Sequence, residues 1–92
     1  MKQDIIVKLP LVITKKQENK KIEYYGFIPG LTQNDVVCVN IDECERKLKD
    51  TAVELVKKII KNNANLPYFP DENEIKQDFE DIALLKYIRI HL

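Results

Sequence analysis

Between residues 5 and 13, every second side chain is a large aliphatic one, and this alternation constrains the fold more than any other feature of the sequence. The alternating positions are Ile5, Val7, Leu9, Leu11 and Ile13. A period of two is typical of a strand with one buried face. Pro10 falls on the opposite face and has no N–H, so it should lie at a bulge or at an unpaired point of the ladder.

A second and a third strand follow in the sequence. Residues 15–21 are almost wholly charged or amide-bearing, and we expect them to form a flexible hairpin loop. Residues 22–28 are rich in aromatic side chains, as strands often are, and Gly26 within them indicates a bulge or a close backbone approach. The Val-Val-Cys-Val run at 36–39 predicts a short third strand, apolar on both sides and therefore covered by a helix.

A long amphipathic helix should begin after Asn40. The Asn40 side chain can cap the helix, Glu43 can complete a capping box, and Val39 and Cys44 can form a hydrophobic staple. The apolar stripe that would face the sheet consists of Cys44, Leu48, Ala52, Leu55, Val56, Ile59 and Ile60. An asparagine-rich stretch and a Leu-Pro pair follow, so the helix should end near residue 62 or 63.

The last third of the chain predicts a short helix and a final strand. Asp71 and Glu74 form a second capping-box pattern, and Ile75, Phe79 and Ile82 are spaced to touch the core. Residues 84–92 alternate again between apolar and polar side chains, which indicates a strand.

These elements predict an α+β fold of order β-β-β-α-(short α)-β, in one domain that spans residues 1–92. A long helix between two strands implies a crossover, so we expect the last strand to join the sheet parallel to a neighbour and make a mixed four-stranded sheet. The main helix should cover one face. The other face, carrying Lys8, Tyr24 or Tyr25, Tyr87 and Arg89, should be half apolar and open to a partner.

Composition narrows the function classes. The chain has 92 residues with 15 basic and 15 acidic side chains, so no overall field attracts it to nucleic acid, and direct DNA binding is not expected. No apolar run is long enough to cross a membrane, and we expect a cytoplasmic protein. Cys38 and Cys44 form no metal-ligand pattern with the single histidine, His91, so we expect reduced thiols and no metal or other cofactor.

No arrangement of residues indicates catalysis, and we expect a protein that is not an enzyme. A metal-dependent nuclease would need clustered carboxylates, whereas Asp4 precedes the first strand and Glu54 lies on the helix. A helix N-terminus could activate Cys44, but its staple position favours a buried small hydrophobe. His91 lies beside the C-terminus, where an exposed side chain is the expectation.

Two segments carry a resemblance to a known family. Residues 24–31 read Tyr-Tyr-Gly-Phe-Ile-Pro-Gly-Leu, and residues 42–48, in the first turns of the helix, read Asp-Glu-Cys-Glu-Arg-Lys-Leu. Together with Leu9-Pro10, Leu66-Pro67 and the closing strand, this pattern resembles the HicB family of antitoxins. The resemblance implies a partial RNase H-like fold and neutralisation of a small HicA-type ribonuclease toxin by direct binding. Many members carry a DNA-binding domain after the last strand, and we expect this chain to lack that domain and the operator binding that it provides.

The leading hypothesis is therefore a non-catalytic protein-binding module of a toxin–antitoxin system, which covers its partner with a sheet face or an edge strand. Aromatic and arginine side chains dominate interface hot spots, so the candidate partner-binding residues are Tyr24, Tyr25, Tyr87 and Arg89. Each could instead be a core or rim residue. The alternative function is a self-associating regulatory or accessory domain without a toxin partner. A homodimer is expected under either hypothesis, because exposed sheet edges tend to be paired.

Overall fold

The computed structural model describes residues 6–91, which form four strands and two helices. In chain order these are β1 (Ile6–Glu18), β2 (Lys21–Phe27), β3 (Val36–Cys38), α1 (Ile41–Lys61), α2 (Glu72–Asp78) and β4 (Ile82–His91). The α+β class, the four-stranded sheet and the main helix are confirmed. Ile5 and Leu92, which the sequence assigns to the first and last strands, lie outside the described residues.

The sheet has the order β3-β2-β1-β4, and every neighbouring pair is antiparallel. The expected mixed sheet is therefore wrong. The reason is that the chain crosses the sheet twice between β3 and β4. The helix α1 crosses one face, and residues 70–81 then cross the other, so that β4 enters opposite Thr14 and leaves opposite Ile6, against the direction of β1.

The polar segment 15–21 is not the flexible loop that its composition predicts. β1 continues to Glu18 and pairs with β2 without interruption from Val12↔Phe27 to Glu18↔Lys21. Asn19 and Lys20 alone make the turn, with φ of 47° and 69°. Two-residue hairpins of type I′ require positive φ at both central positions, and asparagine tolerates it well. The result is a two-stranded ribbon that is exposed from Lys15 onward.

The main core lies between α1 and the face of the sheet that carries Leu9 and Leu11. The stripe prediction is confirmed, with four of its residues buried and the others half-buried: Cys44, Leu48, Ala52 and Val56 are buried. The Asn40 Oδ1 accepts the Glu43 N–H at 2.7 Å, which confirms the N-cap. The staple is wrong, because Val39 is 71% exposed. The helix ends at Lys61, as expected.

The opposite face of the sheet, which we expected to be open, is largely covered by residues 70–81. The Phe27 and Phe79 rings lie 4.7 Å apart between centroids, and the Tyr87 hydroxyl donates to the Pro70 carbonyl at 3.2 Å. Pro10 and Val12, on this face, are fully buried. The capping box at the start of α2 is confirmed. Only the outer part of this face remains available to a partner.

Candidate protein-interaction site at the edge of strand β4

β4 is the outermost strand on one side of the sheet and presents a long free edge. It spans 10 residues, whereas β3, the strand at the other edge, spans 3. The only irregularity in its pairing with β1 lies near its start, between Ile13 and Thr14 of β1. β4 contains no proline that would interrupt its outer row of backbone groups. A long regular edge of this kind is a template for pairing with another strand.

The hydrogen-bond pattern identifies which backbone groups face outward. The Lys15 N–H donates to the Asp81 carbonyl at 2.9 Å, so the odd-numbered residues of β1 turn toward β4. The residues of β4 opposite them are engaged with β1: Leu84, Lys86, Ile88 and Ile90. Their neighbours therefore turn N–H and C=O to the free edge, and these are Leu85, Tyr87 and Arg89.

This pattern also explains Pro10. As an even-numbered residue of β1 it turns toward β2, yet β2 ends at Phe27, opposite Val12. Its missing N–H therefore breaks no bond of the ladder, and it pairs with Tyr87 without a bulge. Of the two predictions for Pro10, the unpaired point is correct, because no β2 residue pairs with it. The bulge is wrong, because the pairing with β4 is regular at this position.

A groove of about 620 Å³ runs along this edge between α1 and β4. Its lining side chains come from both elements: Lys49, Val53, Lys86, Tyr87, Ile88, Arg89, Ile90 and His91. On the side of the sheet that α1 covers, the apolar lining consists of the half-buried Val53 and the outer margins of Ile88 and Ile90, which are otherwise buried in the core. The two lysines of the groove, Lys49 and Lys86, lie on this side as well. On the other side Tyr87 and Arg89 stand next to each other along the strand edge.

The charge along this edge is positive. On the α1 side, Lys49 and Lys86 both form ion pairs with Glu45. On the other side, Lys8 of β1 stands directly opposite Arg89, a like-charge pair that destabilises a sheet. None of the ion pairs within residues 6–91 includes Lys8 or Arg89. The Lys8 ammonium lies 5.2 Å from the centre of the Tyr87 ring.

The structure does not bring the four predicted partner-binding residues onto one surface. Tyr24 packs against the main core on the α1 side. Tyr25 lies on the other side, at the base of the ribbon, where its hydroxyl donates to Glu23 at 2.9 Å. It stands four β1 positions, roughly 13 Å, from the level of Tyr87. Only Tyr87, which is half-buried, and Arg89, which is exposed, belong to the β4 edge.

Sequence reasoning missed the contribution of α1 to this site. Lys49 and Val53 lie on the flank of the helix, and the hydrophobic pattern alone does not indicate which strand that flank approaches. Lys8 was placed on the correct face, but its pairing opposite Arg89 depends on the antiparallel register of β4. A parallel last strand would have put other residues opposite each other.

The two thiols are buried and the histidine is exposed. Cys44 is fully buried, and burial, followed by the influence of Cys38, raises its pKa to about 11, so it does not act as a thiolate near neutral pH. His91 is exposed. Within residues 6–91, no three histidine, cysteine, aspartate or glutamate side chains are grouped as metal ligands. Asp4, weighed as a nuclease carboxylate, lies outside that range. No helix in the described part of the chain is long and apolar enough to cross a membrane.

Comparison with known proteins gives no match. No family model, no curated protein and no solved structure is significantly similar to this chain. The resemblance to the HicB family therefore stays a prediction made from the residues.

Proposed function

We propose that this chain is a non-catalytic, antitoxin-like protein-binding module that neutralises a small HicA-type ribonuclease by pairing its β4 edge with a strand of that partner. The single observation that carries the binding mode is the long, regular, unpaired edge of β4. Strand addition derives its affinity from main-chain hydrogen bonds and its specificity from side-chain pockets along the edge. β4 offers both, because Leu85, Tyr87 and Arg89 present free backbone groups beside the groove.

The rest of the sheet favours this edge over the other surfaces. α1 covers one face, and residues 70–81 cover much of the other, so the broad face that we expected to be open is reduced to its margin beside β4. The opposite edge, β3, is too short to form more than a few hydrogen bonds. Val37 within β3 and Val39 just after it are exposed apolar side chains, but the strand itself has only 3 residues.

The antitoxin role itself rests on the resemblance in residues 24–31 and 42–48. The partial RNase H-like fold that the resemblance implies is also part of the proposal. The sheet differs from the mixed sheet that we expected, because β4 pairs antiparallel to β1. In this proposal the protein acts in the cytoplasm, where thiols such as Cys38 and Cys44 stay reduced. The homodimer expected from exposed sheet edges stays a prediction, because this proposal assigns the long edge, β4, to the toxin.

The test is capture of partners from the native host with three tagged forms of the protein: wild type, Arg89→Ala and Arg89→Pro. Proline at this position removes an outward N–H that makes no bond to β1, and edge strands tolerate such a proline. The alanine variant keeps the N–H and removes only the side chain. Captured protein is then assayed for ribonuclease activity with and without each form.

The proposal expects a small ribonuclease that wild type binds and inhibits, that Arg89→Ala binds more weakly, and that Arg89→Pro fails to bind. Amide hydrogen exchange adds a readout that needs no variant, since partner binding should newly protect Leu85, Tyr87 and Arg89 and leave Ile88 and Ile90 as protected as before. If wild type captures only further copies of itself, the self-associating domain replaces the antitoxin proposal. Equal binding of the proline form would refute the edge mode.

A further inference from the structure

We infer that the segment that docks on the β4 edge is an extended acidic peptide in which acidic and apolar side chains alternate. This inference rests on the proposed edge-pairing function and specifies the chemistry of the partner. The observations that carry it are the like-charge pair Lys8–Arg89 and the apolar side of the groove.

The two sides of the edge require different side chains from an incoming strand. Successive residues of a strand point to opposite faces of a sheet. A partner residue opposite Arg89 therefore projects on the side that carries Lys8 and Tyr87. Its two neighbours project on the α1 side, toward Ile88, Ile90 and Val53. The side with Lys8 and Arg89 is cationic. On the α1 side the two lysines of the groove share Glu45, which leaves apolar contact as the main interaction there, so the matching segment alternates acidic and apolar side chains.

The cationic side lacks a counter-charge within the described part of the fold. Lys8 and Arg89 stand opposite each other, and no carboxylate of residues 6–91 forms an ion pair with either side chain. Lys49 and Lys86 on the α1 side already share Glu45. A carboxylate on the incoming strand, opposite Arg89, would convert a repulsive cross-strand pair into a favourable cluster. A cationic segment would add to the repulsion.

The same charges disfavour a second copy of this chain as the occupant. Two copies that joined their β4 edges would bring one cationic strand against another, because β4 carries Lys86 and Arg89 and no acidic residue. Directly opposite residues of two paired strands lie about 5 Å apart, which is less than the screening length of about 8 Å at physiological ionic strength, so like charges that meet across the edge repel each other. A partner strand with acidic side chains meets no such penalty.

The test uses short capped peptides in which valine alternates with glutamate, with matched peptides that carry glutamine or lysine in place of glutamate. Each is titrated into the ¹⁵N-labelled full chain, and shifts of the backbone amides of Leu85, Tyr87 and Arg89 report on binding at the edge. We expect the glutamate peptide to shift these amides and to bind at least about threefold more tightly than the glutamine peptide. The lysine peptide should bind most weakly.

Two variants and their controls separate charge from backbone pairing. Arg89→Ala should weaken the glutamate peptide about two- to fivefold and leave the glutamine peptide nearly unchanged. Lys8→Glu places a carboxylate opposite Arg89 within the sheet, so it should raise the urea midpoint of the free protein while weakening the glutamate peptide. Raising the salt concentration should reduce only the difference between the peptides.

The outcomes distinguish this inference from the proposed function. Equal affinity for all three peptides, with shifts confined to β4, would overturn the acidic preference and leave edge pairing intact. If no peptide shifts the β4 amides, both the inference and the edge mode are overturned. A concentration-dependent dimer that protects Leu85, Tyr87 and Arg89 without any peptide would show that a second copy occupies the edge, which also overturns the inference.

Discussion

Gly26→Ala should destabilise this protein, although the same change in an ordinary strand would not. A Cβ at Gly26 would lie 2.6 Å from the Cys44 Sγ and 2.6 Å from the Leu48 Cδ1. Both distances fall about 0.8 Å short of the 3.4 Å at which ordinary contact begins. Cys44 and Leu48 are fully buried, so neither side chain can retreat into solvent.

Relief of the clash therefore requires α1 to move away from the sheet, or the two side chains to leave their rotamers. Overpacking of this kind costs about 1–3 kcal/mol. For a domain of this size that corresponds to a fall in melting temperature of roughly 4–24 °C. Were Gly26 merely a flexible strand residue, alanine would instead stabilise by about 0.4–1 kcal/mol through the unfolded chain. The two explanations thus predict opposite signs.

The assay is urea unfolding followed by circular dichroism, on wild type, Gly26→Ala, Cys44→Ala and the double variant. If the contact with the thiol is real, Gly26→Ala should be less costly in the Cys44→Ala background, because one of the two colliding atoms is gone. An unchanged or higher midpoint for Gly26→Ala would refute the close approach of α1 to β2. Identical costs in both backgrounds would refute the role of the Cys44 Sγ.

Two predictions concern pH. The hydrogen bond from Tyr25 is the main factor that lowers the pKa of Glu23 below 4.5, so this carboxylate stabilises the fold above pH 4.5 and loses that contribution as the pH falls through its folded-state pKa. Tyr25→Phe should raise the Glu23 pKa in an NMR titration, and an unchanged pKa would contradict the assignment. Burial raises the Cys44 pKa from 9.0 to about 11, so stability should decline between these pH values as the unfolded thiol ionises, and Cys44→Ala should flatten that decline in urea midpoints.

The parts of the fold with a buried face were predictable from sequence. The aliphatic alternation of the first strand and the stripe of α1 each have a partner surface, and so each leaves a clear period in the sequence. Asn40 likewise acts locally, through a hydrogen bond to a residue three positions away. The strand and the helix are predictable because a single buried face produces a regular spacing of apolar residues, and the cap is predictable because its two partners are close in sequence.

The ribbon beyond Thr14 was not predictable on the same grounds. Residues 15–18 are exposed on both faces of the ribbon, so they have no apolar period to distinguish a strand from a loop. What defines the ribbon is the turn at Asn19 and Lys20, whose positive φ angles match the twist of the flanking strands. Asn-Lys indicates a hairpin turn much less strongly than Asn-Gly does, and a polar segment on both sides of it has the composition of a loop.

The direction of β4 depended on a feature that the sequence shows only indirectly. Ile75 and Phe79 are spaced to touch a core, but the pattern does not say which face of the sheet they meet. Phe79 contacts Phe27 on the face opposite α1, and this second crossing reverses β4. The candidate site changed with it, from an open sheet face to a strand edge, because residues 70–81 occupy much of that face.

The register of β4 gives a reason to look outside the folded chain for the role of its edge. In an antiparallel pair, a lysine opposite an arginine weakens the sheet, and either position could carry a neutral or acidic residue without disturbing the core. Lys8 and Arg89 are both exposed, so burial does not require their charges. Functional sites often carry such a stability cost in the free protein, because the partner supplies the missing interaction. An anionic strand along β4 would supply it here, at the position where the backbone also lacks a partner.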